Sequence, residues 1–198
     1  MKLISHRRNT VSELVATDAR YGVEVDIRSE GKRLIIHHDP LVGGESFDEW
    51  IDAYRHGTLI LNVKEEGLEK QLISIMKSKG ITDFFFLDQS FPFLVKWASA
   101  GERRCAVRVS EFESIETALT LSGKIDWVWV DCFTHFSLSA IEGQELKKAG
   151  FKLCLVSPEL QGRDAIVEIP KLALLLKERN INADAVCTKR PDIWEKVV

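Results

Sequence analysis

The sequence of 198 residues lacks the features that mark several large classes of protein. It has no surplus of positive charge, because 27 lysines and arginines are set against 30 aspartates and glutamates, a net charge of −3. This balance argues against a polybasic surface for nucleic acid or a cationic arm for membranes. No segment approaches the ~20 apolar residues of a transmembrane helix, and the opening MKLISHRR lacks the apolar run of a signal peptide. We therefore expect a cytoplasmic protein with no transmembrane segment and no nucleic-acid partner.

The sequence also has few cysteines, and their spacing excludes the usual cysteine-based sites. Cys105, Cys132, Cys154 and Cys187 lie far apart and form no C-x-x-C pair, which argues against a disulfide framework or a zinc site. Three of them lie in apolar runs, so buried, reduced thiols are the expected state. Hydrophobic residues make up 45% of the chain and charged residues 29%, values typical of a globular protein.

Short apolar runs alternate with helical patterns along the chain. The main runs cover residues 2–5, 22–27, 58–63, 84–87, 105–109, 127–130, 153–156 and 185–188, and a further one at 34–36 follows a turn at Gly31. Helical patterns cover residues 11–20, 47–54, 68–79, 114–121, 140–149 and 170–179, and another helix starts near Pro92. Pro170 is expected in the first turn of its helix, where proline is tolerated.

This alternation predicts βαβ units and a parallel sheet. Eight main runs amount to about 25 residues per unit, which favours a compact (β/α)8 TIM-type barrel, a fold that starts at roughly 200 residues. We expect residues 1–198 to form a single domain, since chains average about 150 residues per domain. The alternative is an open, doubly wound sheet, but no G-x-G-x-x-G follows the first run to support its dinucleotide-binding version.

The second run places two carboxylates on one face of a strand. In GVEVDIR, residues two apart share a face, so Glu24 and Asp26 lie together while the valines and Ile27 face the other way. In a barrel the apolar face packs on helices, so the carboxylates are expected to point inward. We call the end of the barrel where the carboxyl ends of the strands meet the mouth, and we expect the carboxylates there. They repel each other unless a cation or proton lies between them. A hard divalent ion suits such oxygen ligands, and an internal salt bridge to Arg28 or Lys64 is an equally weighted alternative.

The third run adds two polar side chains to the same mouth. In TLILNVK, Asn62 and Lys64 share a face with Ile60, opposite Leu59, Leu61 and Val63. Asn62 can offer a carbonyl oxygen to a metal ion, and Lys64 can bind a phosphate. Lys64 can also neutralise the carboxylates or form a Schiff base with a carbonyl substrate.

Two histidines close early strands. His6 ends the first run and is followed by Arg7, and His38 lies in IIHHDP, where Asp39 can orient it through a ring nitrogen. A histidine at a strand end can act as general acid or base near neutral pH. His37 faces the opposite way and is expected to be structural.

Later strand ends carry weaker candidates. Asp88, Arg108, Asp131 and Ser157 lie at or near the ends of apolar runs. Arg108 can add a phosphate contact and Asp131 can orient a base, although membership of salt bridges that line the barrel is favoured for each. The aromatic residues of the runs at 84–86 and 127–129 are expected to fill the interface between barrel and helices, with Trp129 on the same face as Asp131.

These motifs together resemble a known family. The chain resembles the glycerophosphodiester phosphodiesterases in the order of four motifs. These are His6-Arg7, G-x-E-x-D at Gly22, Glu24 and Asp26, His38-Asp39, and L-N-x-K ending at Lys64. That family belongs with the phosphatidylinositol-specific phospholipase C-like phosphodiesterases. The ending DAVCTKRPDIW is similar to its last strand, while the middle of the chain agrees only in its βα rhythm.

The resemblance implies a barrel that hydrolyses a phosphodiester with a divalent cation, Mg²⁺ or Ca²⁺. It implies that Glu24 and Asp26 are metal ligands, with Asn62 at the position of a third ligand, and that His6 and His38 are the acid–base pair. The resemblance also implies that Arg7 and Lys64 bind the phosphate. Arg108, from its place near a strand end alone, is a further candidate phosphate contact. In that family a hydroxyl of the substrate's own alcohol attacks phosphorus, and water then opens the resulting cyclic phosphate.

The sequence departs from the family pattern at three places. Asn62 replaces the usual glutamate two residues before the lysine, and HRRNT replaces a stretch that normally contains glycine and glutamate. The third departure is that Asp39 and Asn62 are only 23 positions apart (62 − 39), so the family's substrate-defining cap is nearly absent.

Two functions from different classes follow. The first is a metal-dependent phosphoric diester hydrolase of lipid metabolism, acting on a small-molecule or lipid-derived phosphodiester such as a glycerophosphodiester. The second is a non-catalytic or weakly catalytic barrel that binds a phosphorylated ligand. A Schiff-base lyase that uses Lys64 is a third, less favoured hypothesis.

Overall fold

The computed structural model describes residues 1–198 and contains ten strands. They are β1 (Lys2–Ser5), β2 (Gly22–Glu30), β3 (Arg33–Ile36), β4 (Glu45–Ser46), β5 (Leu59–Val63), β6 (Phe84–Leu87), β7 (Ala106–Val109), β8 (Trp127–Val130), β9 (Lys152–Val156) and β10 (Ala185–Thr188). All eight predicted main runs are strands. The second run extends to Glu30, and β3 pairs with it antiparallel as a hairpin.

Eight helices cover the outside of the sheet. They are α1 (Val11–Ala16), α2 (Phe47–Ala53), α3 (Glu69–Ser78), α4 (Phe91–Ser99), α5 (Ile115–Leu119), α6 (Ala140–Lys148), α7 (Ala165–Glu178) and α8 (Pro191–Trp194). A 3₁₀ turn covers Pro158–Gln161. None of the helices is long and apolar enough to cross a membrane.

The prediction for the helix at Pro170 was wrong. The α7 helix begins at Ala165, capped by the Asp164 side chain, so Pro170 lies inside the helix rather than in its first turn. Pro170 cannot donate a backbone hydrogen bond. Asp164 caps the backbone N–H groups of Ile166 and Val167, and this N-cap sets the true start of the helix.

The strands form one strongly curled, mixed sheet. Its order is β4-β3-β2-β1-β10-β9-β8-β7, and β5 pairs with both β2 and β6. The pairs outside the β2–β3–β4 hairpins are parallel, as expected for βαβ units. Between β6 and β7 there is one isolated parallel bridge, from Phe86 to Cys105. The result is an α/β fold in which the carboxyl ends of the parallel strands share one end of the sheet.

Apolar side chains pack on both faces of the sheet. The outer face and the helices share a cluster of 42 buried residues that includes Val23, Val25 and Leu61. The inner face holds a separate cluster of 12 buried residues that includes Ile60. This division confirms the predicted orientation of β2 and β5, whose polar side chains therefore lie on the inner face.

The aromatic side chains do not all lie where the sequence predicted. Phe84 and Phe86 belong to the outer cluster, as expected, but Phe85, Trp127 and Trp129 fill the inner cluster. Phe85 stacks on Trp127 with ring centroids 4.5 Å apart. These wide rings occupy the inner face of the sheet together with Ile60.

Gly22 lies in β2, where the backbone just before β5 and a side chain of β1 approach it closely. A Cβ atom at Gly22 would lie 2.5 Å from the carbonyl oxygen of Thr58 and 3.0 Å from Cγ1 of Ile4. We expect Gly22→Ala to lower the free energy of unfolding by about 1–3 kcal/mol, because backbone must move to accept the methyl group. Urea denaturation measures this change. Gly43→Ala is the matched control, since a Cβ there meets nothing within 4 Å; equal stability of the two variants would contradict the argument.

Candidate active site

His6 lies directly after β1, at the carboxyl end of the sheet. Its backbone N–H donates to the carbonyl of Thr188 in β10 over 2.9 Å, and its Nε2 lies 3.9 Å from Oε2 of Glu24. The Nδ1 atom is buried without a hydrogen-bond partner. Burial, together with the nearby cations of which Arg7 has the largest effect, lowers the pKa of His6 to about 3. The imidazole is therefore neutral at physiological pH.

Arg7 combines a strained backbone with contacts to both carboxylates. Its φ angle is +50°, in the left-handed region that non-glycine residues rarely adopt. In this conformation its backbone N–H donates to Oε2 of Glu24 over 2.7 Å, while its Nε lies 3.4 Å from Oδ2 of Asp26. The strain thus turns both the backbone and the side chain of Arg7 toward the buried carboxylates.

Glu24 is a buried carboxyl group with few compensating charges. Its Oε1 accepts a hydrogen bond from Nδ2 of Asn62 over 2.8 Å. Burial, together with the neighbouring Asp26 carboxylate, raises the pKa of Glu24 to about 7, against the opposing effect of the hydrogen bonds from Asn62 and Arg7. A cation beside Glu24 would favour its ionised form.

Asp26 is fully buried and is contacted by Asn9, Arg7 and Lys64. Asn9 donates from Nδ2 to Oδ2 of Asp26 over 2.8 Å and accepts from the Asp26 backbone N–H over 3.0 Å. Nζ of Lys64 lies 3.3 Å from Oδ1. The internal salt bridge considered from the sequence is therefore present through Lys64. Arg28 instead donates to the backbone carbonyls of His38 and Lys64.

Lys64 also begins a line of alternating charges across the mouth. Its Nζ lies 3.0 Å from Oδ2 of Asp88, and Asp88 in turn pairs with Arg108, which pairs with Asp131. Burial would raise the pKa of Asp88, but Lys64 and Arg108 hold it below its usual value. Gln161 donates to the other oxygen of Asp131 over 2.8 Å. This line connects β5 to β8 through side chains alone.

His38 lies apart from the buried carboxylates. Its ring is 41% exposed, and Nδ1 lies 2.7 Å from Oδ1 of Asp39. The hydrogen bond from His38 is the main cause that lowers the pKa of Asp39, and the charge of Arg7 contributes to the same shift. No hydrogen bond or ion pair joins the His38 ring to Glu24 or Asp26. The structure thus brings His6, Arg7, Glu24, Asp26, Asn62 and Lys64 together, joins Arg108 to them through Asp88, and leaves His38 at the rim.

Several polar residues of the mouth were not predicted from the sequence. Lys189 is one of the cations that lower the pKa of His6, and its backbone N–H donates to Oε1 of Glu159. Lys189 lies two residues beyond Cys187 of the inner cluster, so strand alternation alone would have found it. Asn9 and Gln161 lie in loops, where no periodic signal exists. Ser157, a weak candidate, is buried and accepts a hydrogen bond from Nε1 of Trp194.

Glu111 holds together the loop that follows β8 at the mouth. It accepts backbone hydrogen bonds from Phe133, Thr134 and His135. Desolvation would raise the pKa of Glu111, but the donors at His135 and Thr134 lower it to about 2. The stabilisation is therefore present above the unfolded value of about 4.5 and is lost as pH falls through about 2. We expect Glu111→Gln to be less stable than the wild type by a larger margin at pH 6 than at pH 3 in urea denaturation. An equal margin at both values would contradict this account.

The oxygen atoms of the site suit a hard cation better than a zinc-like one. No cluster of three or more His, Cys, Asp or Glu side chains is arranged to hold a metal ion. However, Oδ1 of Asp26 and Oδ1 of Asn62 are buried and accept no hydrogen bond. With Glu24 beside them, they are three oxygen-bearing side chains of the type that Mg²⁺ and Ca²⁺ prefer. The residues therefore fit a divalent cation, with Lys64 as a competing positive charge.

Comparison with known proteins agrees with this architecture. No model of a known protein family matches the chain, and no curated protein matches it in sequence. Among solved structures, it is similar to a glycerophosphodiester phosphodiesterase from Agrobacterium tumefaciens, with a TM-score of 0.65 and 17% identity over 99% of this chain and 98% of that one. A glycerophosphoryl diester phosphodiesterase from Parabacteroides distasonis gives a TM-score of 0.67 and 9% identity over 99% and 85%. The resemblance predicted from the motifs is thereby confirmed at the level of the fold.

Proposed function

We propose that this protein is a phosphoric diester hydrolase of the glycerophosphodiester phosphodiesterase type. The observation that carries the proposal is the meeting of Glu24 and Asp26 with His6, Arg7 and Lys64 at the carboxyl end of a sheet whose fold is that of such enzymes. Carboxylates, cations and a neutral histidine at one mouth are the groups that phosphodiester hydrolysis needs. The substrate would be a small-molecule or lipid-derived phosphodiester.

We further propose that the curled sheet closes as a complete (β/α)8 barrel. The parallel bridge between Phe86 and Cys105 supports closure, as does the hydrogen bond from the Phe86 N–H to the Arg104 carbonyl over 2.8 Å. With this seam joined, eight strands form a ring in the order β1, β2, β5, β6, β7, β8, β9 and β10. The catalytic mouth then lies at the usual end of such a barrel.

In this proposal Glu24, Asp26 and Asn62 hold the divalent cation, Mg²⁺ or Ca²⁺. When bound, the ion supplies positive charge to a phosphate oxygen. Arg7 and Lys64 bind the remaining phosphate oxygens and stabilise the charge that develops on them during the reaction. Because Lys64 already contacts Asp26 and Asp88, its ammonium is fixed in position before substrate arrives.

The proton transfers fall to the two histidines. In the first step the substrate's own hydroxyl attacks phosphorus, His6 takes the proton of that hydroxyl, and His38 protonates the departing alcohol oxygen as its P–O bond breaks, which leaves a cyclic phosphate. In the second step water attacks phosphorus, His38 takes a proton from the water, and His6 returns its proton to the ring oxygen that leaves, which restores both histidines. Asp39 holds the His38 ring through Nδ1, leaving Nε2 to face the substrate. The overall reaction consumes one water and yields a phosphomonoester and an alcohol.

A second candidate function is supported by one specific observation. Asn62 is neutral where the family has a carboxylate, and Lys64 partly neutralises Asp26. Both features weaken cation binding, which favours a barrel that binds a phosphorylated ligand without cleaving it. Asn62→Glu discriminates between the two. A hydrolase adapted to Asn62 loses turnover of glycerophosphoethanolamine in this variant. If instead the wild type is inactive and Asn62→Glu gains both cation affinity and turnover, the hydrolase proposal fails and the binder is supported.

A further inference from the structure

A cavity of about 480 Å³ opens beside the candidate active site at the seam between β6 and β7. We call it the seam cavity. Its lining includes two aromatic residues and four polar ones: Phe91, Phe112, Asp88, Arg108, Glu113 and Ser114. The cavity exists because strand pairing at the seam ends at the Phe86–Cys105 bridge. Asp88, the residue after β6, has a φ angle of +59° and forms no backbone hydrogen bond to β7. The two strand ends therefore separate toward the mouth.

The inner wall of the seam cavity is continuous with the groups proposed to bind phosphate. Asp88 lines the cavity and contacts Lys64, while Arg108 lines it between Asp88 and Asp131. The cavity therefore adjoins the proposed phosphate site, because Asp88 contacts Lys64 on one side and lines the cavity on the other. The site of the reaction and the cavity share a wall made of the Asp88 and Arg108 side chains.

The outer wall combines exposed aromatic rings with polar groups. The Phe112 residue is 78% exposed and Phe91 is 48% exposed, unusual values for large apolar side chains. Phe112 is held outward by a tight turn in which the Ser110 hydroxyl accepts its N–H and donates to Glu113 over 2.7 Å. Six of the twelve lining residues are hydrophobic and six are polar. Such a lining offers flat apolar faces together with hydrogen-bonding groups at their edges.

This composition discriminates between classes of alcohol. An acyl chain would leave the polar half of the lining desolvated without partners, which is unfavourable. An ammonium group would need an unpaired anion, but Asp88 is paired with two cations and Glu113 is bonded to Ser110 and lies 3.8 Å from Arg108. A neutral ring that carries hydroxyl groups satisfies both halves, because its C–H faces pack on aromatic rings and its hydroxyls bond to the polar side chains.

We propose that the seam cavity binds the leaving alcohol of the phosphodiester and that this alcohol is a neutral, polyhydroxylated ring such as a hexose. The inference rests on the hydrolase function proposed above and adds to it the class of substrate. It also makes Phe112 a residue that determines specificity through stacking, without contact to the reacting atoms.

The test compares three glycerol phosphodiesters whose second alcohol is glucose, ethanolamine or a monoacylglycerol. We expect the highest kcat/KM for the glucose ester. In Phe112→Ala, the ratio of kcat/KM for the glucose ester to that for the ethanolamine ester should fall about tenfold, the size of one aromatic contact. Ile141→Ala, an exposed apolar residue on α6, is the control and should keep the wild-type ratio. A preference for the ethanolamine or acyl ester, or an unchanged ratio in Phe112→Ala, overturns the proposal.

Binding of glucose 1-phosphate, followed by protein NMR shifts, separates the two proposals. If none of the three diesters is cleaved but glucose 1-phosphate binds and Phe112→Ala weakens it about tenfold, the cavity assignment stands while the hydrolase function fails. If the ethanolamine ester is cleaved but glucose 1-phosphate binds wild type and Phe112→Ala equally, the hydrolase function stands and the cavity assignment is overturned.

Discussion

Replacing His6 by alanine is expected to lower kcat/KM for phosphodiester hydrolysis by about 10²- to 10⁴-fold, the usual contribution of a general base. His6 is placed for this role by its position at the mouth, where its Nε2 lies 3.9 Å from Oε2 of Glu24. Its Nδ1 makes no hydrogen bond, so the substitution breaks no buried contact of that atom and the fold should persist. Added imidazole should restore part of the activity, which a purely structural role for His6 would not allow.

The matched control for His6 is another partly buried histidine far from the mouth. His56 precedes β5 at the opposite end of the sheet, where its Nε2 contacts the carbonyl of Thr17 over 3.0 Å. His56→Ala should keep kcat/KM within about threefold of the wild type once folded protein is assayed, since distant substitutions act on stability rather than on chemistry. Turnover by His6→Ala at the level of His56→Ala would remove His6 from the mechanism.

The second large effect is expected at Asp26, on both stability and cation binding. Asp26→Ala should lower the free energy of unfolding by about 3 kcal/mol, because it removes the buried partner of Lys64 and Arg7 and leaves Asn9 without its acceptor. Asp26→Asn keeps the shape and should lose less stability. Both variants should lose the saturable binding of Mg²⁺ or Ca²⁺ that calorimetric titration of the metal-free wild type is expected to show.

A surface ion pair provides the comparison for Asp26. Glu168 and Lys171 form an exposed pair on α7, with a distance of 2.7 Å. Glu168→Ala should cost less than about 1 kcal/mol of stability and leave cation binding unchanged. A similar small loss in Asp26→Ala would show that Asp26 is dispensable to the fold. Undiminished cation binding in Asp26→Asn would exclude Asp26 as a ligand.

The order of elements and the polar face of the early strands could be predicted from the sequence because they depend on short-range patterns. Alternation along β2 and β5 places Glu24, Asp26 and Asn62 on the inner face, and the division of apolar residues between two clusters agrees with it. Strand ends in a parallel sheet meet at one end, so His6 and Lys64 were predicted beside these residues from spacing alone.

Features that depend on tertiary packing could not be predicted in the same way. The strands at 84–87 and 127–130 are apolar on both faces, so the alternation of residues does not predict which face points inward. The structure shows that Phe85 and Trp127 belong to the inner cluster. The left-handed backbone of Asp88 has no glycine to signal it. In this conformation the Asp88 carboxylate contacts Lys64 and Arg108. These ion pairs and the seam cavity depend on distances between residues far apart in the sequence, which only the folded chain defines.

The most direct test of the central claim, that this mouth hydrolyses a phosphodiester, is ³¹P NMR of glycerol phosphodiesters incubated with the wild-type protein. We predict that, with Mg²⁺ or Ca²⁺ present, the diester signal of at least one of these compounds is replaced by a phosphomonoester signal. This conversion should stop on chelation of the cation and should be absent in a parallel preparation of His6→Ala. Unchanged diester signals for the glucose, ethanolamine and acyl esters with either cation would contradict it.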